Sequence, residues 1–166
     1  MRLLRWVGRI LLVLVALGIV VAGVARFHDG PLGPVPGGPL EAGELVSDAG
    51  VDWRFAADIP EIELQLVDPP RSRTTWVLVR EDQLYVPCAW PQSFVKEWPK
   101  QALRDGRVVL RIAGKRYERQ AVRVTDPEVH AELSALGAQK YDYEPPQGPP
   151  GLESLWFFRM DPRPGG

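Results

Sequence analysis

The sequence has one cysteine, Cys88, and two histidines, His28 and His130. An intramolecular disulfide is therefore excluded, and a zinc site of the usual ligand types lacks ligands, so no metal is expected. Acidic residues are missing before Asp29, although Arg2, Arg5, Arg9 and Arg26 fall in that segment. The rest of the chain carries 16 basic and 21 acidic residues, a net of -5. Phosphate contacts dominate nucleic-acid affinity, so an acidic domain of this kind excludes nucleic acid as a partner. Phosphate-loop, zinc and serine-nucleophile motifs are also missing, and no carboxylate spacing singles out an acid–base pair.

The 166 residues suit one domain plus an anchor. Ile10 to Ala25 carries no charge, and Trp6 and Val7 extend the apolar stretch towards the N-terminus. About 20 apolar residues cover the hydrocarbon core of a bilayer. Arg9 and Arg26 can snorkel to the two interfaces, and Trp6 suits the headgroup level. Residues 1–28 thus read as a cytoplasmic tip and membrane anchor. Three arginines before residue 10 put the N-terminus in the cytoplasm and the domain on the outer, periplasmic side of the cell membrane. A cleaved signal peptide is the rival reading, with Gly23-Val24-Ala25 offering small residues to a peptidase. The run is long for a signal core and has no A-x-A, which favours the anchor.

Residues 29–44 form a Pro/Gly-rich tether. DGPLGPVPGGP can hold neither helix nor sheet for long and reads as a semi-extended spacer. The domain occupies 45–163. Ile62 to Val67 alternates as a strand, and Thr74 to Arg80 and Leu84 to Cys88 form a hairpin across Glu81-Asp82-Gln83. Pro87 predicts that this second arm ends there or lies on an edge. Residues 93–104 read as a short helix interrupted at Pro99. Arg107 to Ile112 and Arg116 to Val124 form a second hairpin, with Tyr117, Arg119, Ala121 and Arg123 on one face. Asp126-Pro127-Glu128 starts a helix, and Gly137 is expected to close it. Residues 144–151 read as a rigid loop, and Leu152 to Met160 as the last strand. This pattern predicts a mainly β fold, a small barrel or strongly curled sheet with short helices.

Several segments carry a resemblance. Arg71, Arg73, Thr74 and Thr75 lead into a strand, and Leu84 to Pro87 forms a hairpin arm. A Trp-containing insertion follows, with Lys96, Trp98 and Leu103. Asp105-Gly106-Arg107 then opens a hairpin that closes on Thr125-Asp126-Pro127-Glu128, and Phe157 to Met160 ends the domain. Residues 71–160 resemble the FMN- and deazaflavin-binding split β-barrel proteins, the nitroreductase and quinone-reductase group related to pyridoxamine phosphate oxidases. The resemblance implies a split-barrel-like domain, an FMN or deazaflavin cofactor, and a homodimer with the cofactor between subunits. It implies that Arg71, Arg73, Thr74, Thr75 and Lys96 face the cofactor phosphate and that Trp90 stacks on its ring. Trp76 and Trp98 are further stacking positions, or core.

Two departures separate the chain from that pattern. Val67-Asp68-Pro69-Pro70 stands where the family carries a Gly-rich, Ser-containing stretch, and Cys88-Ala89-Trp90-Pro91 replaces small polar residues. Two functions follow as expectations. One is a membrane-anchored envelope module that binds an envelope protein or other partner without catalysis. The other is a flavin- or deazaflavin-dependent reductase of quinone-like or nitro-aromatic compounds. Cys88 reads as a small buried hydrophobe rather than a nucleophile.

Overall fold

A computed structural model describes residues 2–47, 50–90, 96–144 and 154–164. The N-terminal helix α1 spans Arg2–Arg26. Its segment Trp6–Arg26 is long and apolar enough to cross a membrane, and this segment shows its side chains to the surroundings on all faces except at its C-terminal end, where Ala25 is fully buried. A helix apolar all round belongs in lipid or in a large core, and the domain wraps only its last turn.

The domain is built from β1 (Glu44–Val46), a 3-10 turn at Trp53–Ala56, β2 (Glu61–Leu66), β3 (Arg71–Trp76), β4 (Leu78–Arg80) and β5 (Gln83–Ala89). Then follow α2 (Trp98–Arg104), β6 (Arg107–Ile112), β7 (Lys115–Arg123), α3 (Pro127–Tyr141) and β8 (Leu155–Pro162). The strand order is β3-β2-β6-β7-β8-β5-β4, antiparallel throughout that path. Only Val77 separates β3 from β4, so one continuous strand pairs first with β2 and then with β5. The two ends of the sheet are thereby joined, and the sheet is a closed barrel. The mainly β expectation with short helices holds. β1 adds in parallel to the edge of β7 that β8 leaves open, pairing with Lys115 to Tyr117 while β8 pairs with Arg119 to Arg123.

Alternation along the strands fills the interior. Ile62, Leu64 and Leu66 of β2, Leu84, Val86 and Cys88 of β5, Val108, Leu110 and Ile112 of β6, and Trp156, Phe158 and Met160 of β8 form one core. The opposite residues of β5 and β8 make a second core under α3, with Tyr85, Leu155 and Phe157 against Leu133. β7 turns its arginine-bearing face inward. Arg119 is 3% exposed and lies 5.1 Å over the Trp53 ring, and Arg123 lies 3.8 Å over the Trp156 ring. Aromatic faces thus offer both guanidiniums a favourable surface within the barrel.

Four sequence expectations shift. β5 runs on past Pro87 to Ala89. The Trp90 amide donates to Ser154 O, which makes the even-numbered residues the hydrogen-bonded set towards β8. Proline's missing N–H therefore points away from β8, on a side where β4 pairing has already stopped at Tyr85. α3 does not close at Gly137 but continues to Tyr141, with Asp142 left-handed after it. Gly137 is an interior position where α3 meets Leu78 and Tyr143 closely: an added Cβ would lie 3.6 Å and 3.3 Å from them. The last strand runs on past Met160 to Pro162, while its predicted first residues, Leu152 and Glu153, the start of the predicted 93–104 helix and most of the 144–151 loop lie outside the described residues.

The fourth shift concerns the tether. Residues 29–40 fold back along the outer face of β2 and β3. Gly37 N donates to Ser72 O and Ser72 N to Gly37 O, and Ser72 Oγ donates to Gly38 O. Leu40 N donates to Gln65 Oε1, and Asp29 accepts from Glu41 N and from Arg111, which also pairs with Glu63. Leu32 and Val35 exchange backbone bonds within the segment, and the groups that this proline-rich chain cannot pair internally are satisfied by neighbouring residues. The glycines permit the approach: a Cβ on Gly38 would sit 2.7 Å from Arg26 O.

Candidate functional site

A cavity of about 470 Å³ opens where the β3–β4 strand bends, between β5 and the end of α3. The bend is fixed from α3. Lys140 Nζ donates to Ile59 O and Val77 O, and the Tyr141 hydroxyl accepts from Val77 N at 2.8 Å. Burial lowers the Lys140 pKa and raises that of Tyr141. Tyr141 stacks flat on Trp76, with centroids 4.1 Å apart and planes 7° apart, and Tyr143 leans on the same indole at 5.6 Å. Burial raises the Tyr143 pKa also.

The floor is the outer face of β5 and β8, namely Pro87, Ala89 and Leu155. Trp90 stands at the rim, 62% exposed and with a positive φ of 54°. A non-glycine residue in that region is strained, and such strain is characteristic of ligand-contacting positions. Lys96 lines the cavity and donates from Nζ to Ala89 O at 2.7 Å. Among the described residues, Lys96 and Glu144 are the charged members of the lining. Volume and lining fit a flat, largely apolar ligand with one polar edge.

The predicted site residues do not all meet there. Thr75, Trp90 and Lys96 line this cavity together. Arg73 and Thr74 instead line a neighbouring groove with Gly33, Pro34, Glu61 and Trp76. Thr74 points to the outer side, where its hydroxyl lies 3.4 Å from Gly33 O. Arg71 and Arg73 pair with Leu66 and Leu64, which puts them on the barrel-interior side of β3. Arg73 lies 5.6 Å over the Trp98 ring, and desolvation, together with the Arg71 charge, lowers its pKa to about 10. Its Nε is buried with no hydrogen-bond partner among the described residues. Trp98 itself is core, packed on Phe158. Cys88 is also core: burial raises its thiol to about 11, against the opposing pull of Lys96 and Arg73. Sequence reasoning missed Tyr141 and Tyr143, because both lie beyond the expected end of α3.

A flavin ring is compatible with this cavity in size and in its aromatic walls, but the arginine pair expected at a flavin phosphate does not line it. Position along the strand separates them: Thr75, on the same side of β3 as Arg71 and Arg73, reaches the cavity at the β4 end, whereas the arginines lie two and four residues nearer the start of β3.

No family model matches the chain. No curated protein matches it either. Among solved structures, the chain is similar to a NimC/NimA family protein from Clostridium acetobutylicum, at 15% identity and a TM-score of 0.47, over 62% of this chain and 74% of that one. It is similar to a Listeria innocua protein assigned as a pyridoxamine 5'-phosphate oxidase, at 16% identity and a TM-score of 0.44, over 61% and 82% of the two chains. It is also similar to an F420 reductase, at 15% identity and a TM-score of 0.44, over 66% and 91%.

Proposed function

We propose that the chain is a single-span protein of the cell envelope whose barrel domain, on the outer side of the membrane, is a non-catalytic binding module for a flat, largely apolar ligand. The observation that carries this reading is the cavity walled by Trp76, Trp90, Tyr141 and Tyr143 with Lys96 at one side. Flat aromatic walls reward planar ligands, and an ammonium gives such a ligand's polar edge a partner. The arginines ahead of the apolar helix and the acid-free N-terminus support a cytoplasmic N-terminus.

A second reading, a flavin- or deazaflavin-dependent reductase, is favoured by the presence of Thr75 and Lys96 in the same cavity. It ranks behind the first because Arg71 and Arg73 stand elsewhere.

The test is binding to the full chain in detergent micelles, followed by tryptophan fluorescence and visible absorption. The probes are 1-anilinonaphthalene-8-sulfonate, FMN and a deazaflavin. The binding-module reading expects the naphthalene probe to bind, with loss in Trp90→Ala and Lys96→Ala and no change in an Arg71→Ala/Arg73→Ala double variant. Stoichiometric FMN or deazaflavin binding that disappears in the double variant would establish the reductase reading instead. Binding of none of the probes defeats both.

A further inference from the structure

We infer that the face of the domain formed by the Gly30–Leu40 segment rests on the bilayer surface, so that the domain sits on lipid headgroups in one orientation instead of swinging on a spacer. The inference rests on α1 crossing the membrane. Three features of the molecule carry it.

First, the end of the helix is fastened to the domain. Ala25 is fully buried, and Arg26 Nη1 donates to Pro70 O at 3.0 Å. Gly38 N donates to His28 O, and the next residue back, Gly37, forms a two-way backbone pair with Ser72. A free hinge between span and barrel is therefore missing among the described residues. Second, the segment beside this joint is uncharged from Gly30 to Leu40, eleven residues in a chain that is one-quarter charged. Headgroup-level chain without charged side chains loses little on leaving water, whereas a carboxylate there would have to give up its hydration. Third, Phe27, the first residue after the helix, is 90% exposed. An aromatic ring so placed is most stable at the membrane interface, where its apolar surface leaves water.

Reach is not limiting. Pro34 is four residues from Gly38, so it lies within about 14 Å of the joint by chain length alone. The polar headgroup layer on each side of the hydrocarbon is about 5–7 Å thick. The start of α3 differs in kind. α3 packs over β4, β5 and β8; its Tyr141 end reaches Trp76 of β3, while its Pro127 end lies a helix length away and exposes the charged Glu128.

The experiment uses the full chain, in a Cys88→Ala background, reconstituted in phosphatidylcholine–phosphatidylglycerol vesicles. An environment-sensitive fluorophore is placed on Phe27→Cys, Pro34→Cys, Val35→Cys or Glu128→Cys, and headgroup-spin-labelled lipid serves as quencher. The expected result is strong quenching at positions 27, 34 and 35 and several-fold weaker quenching at 128. Quenching at 27 with positions 34 and 35 as weak as 128 overturns the docked face while leaving the membrane span intact. Weak quenching at all four positions shows that the span itself has failed, and the inference falls with it.

Discussion

Asp105 shows how a single side chain writes a pH dependence. Its carboxylate accepts from Arg107 Nε at 2.9 Å, from Arg107 Nη2 at 2.6 Å and from the Arg107 amide. The side-chain bonds to Arg107 are the largest cause lowering its pKa from 3.8 to about 2, with desolvation opposing them. A carboxylate with a depressed folded pKa stabilises the fold fully above its unfolded value, and that stability is lost as the pH falls towards the folded one. Urea midpoints of the full chain should therefore drop more steeply between pH 3.8 and about 2 than those of Asp105→Asn. Parallel midpoint curves for the two proteins would sink this account. At this scale the sequence was informative for residue type and poor for facing. Arg71 and Arg73 are cations next to hydroxyls, but which way they point depends on strand register, which a single strand does not reveal. Arg119 shares its face with Tyr117 and Ala121, and its burial is matched by the rings of Trp53 and Tyr117 and by its bond to Glu118 O.

Among the elements, α3 best separates what local signals specify from what packing decides. Asp126 caps the helix by accepting from Glu128 N and Val129 N, and Pro127 occupies the first turn. Both signals are short-range, and the start was legible for that reason. The stop was not. Gly137 has the ordinary look of a helix terminator, yet it lies inside the helix, close to Tyr143 just beyond the helix end and to Leu78, which is distant in the chain. That misplaced end hid Tyr141 and Tyr143, and so half of the aromatic wall. The hairpin of β6 and β7 was legible for the opposite reason: its partners are adjacent and Ala113-Gly114 turns the chain locally. Gly137→Ala should retain the fold and the cavity, since glycine costs about 1 kcal/mol in a helix interior and the Tyr143 hydroxyl is the tip of a long side chain. Gly137→Leu should occupy the cavity and abolish binding of the naphthalene probe, while the helical circular dichroism stays unchanged. Undiminished binding in Gly137→Leu would move the ligand elsewhere.

For the whole molecule, the largest departure from the sequence reading is the 29–40 segment. Proline and glycine announce chain without regular structure, but they do not say whether it floats or lies on a surface. Here it covers Ser72 and Gln65, which are otherwise buried polar side chains of β3 and β2. A chain beginning at Asp29 should accordingly be more stable than one beginning at Glu41. The bonds from this segment to Ser72, Gln65 and the charged Arg111 are lost together, at about 1 kcal/mol each. Equal urea midpoints for the two would show the cover to be incidental.

Closure of the barrel has a meaning that goes beyond packing. A protein held by one helix is confined to two dimensions, where its copies meet far more often than the same number would in solution. An open sheet in that setting would offer each neighbour a row of unpaired amides and carbonyls, the template on which strands stack into aggregates. The continuous strand from Arg71 to Arg80 pairs with β2 through its first half and with β5 through its second, and so shortens those edges with a single stretch of chain. The three residues of β1 fill the part of β7 that β8 leaves unpaired. Copies held side by side by such a helix would have less open edge through which their sheets could join.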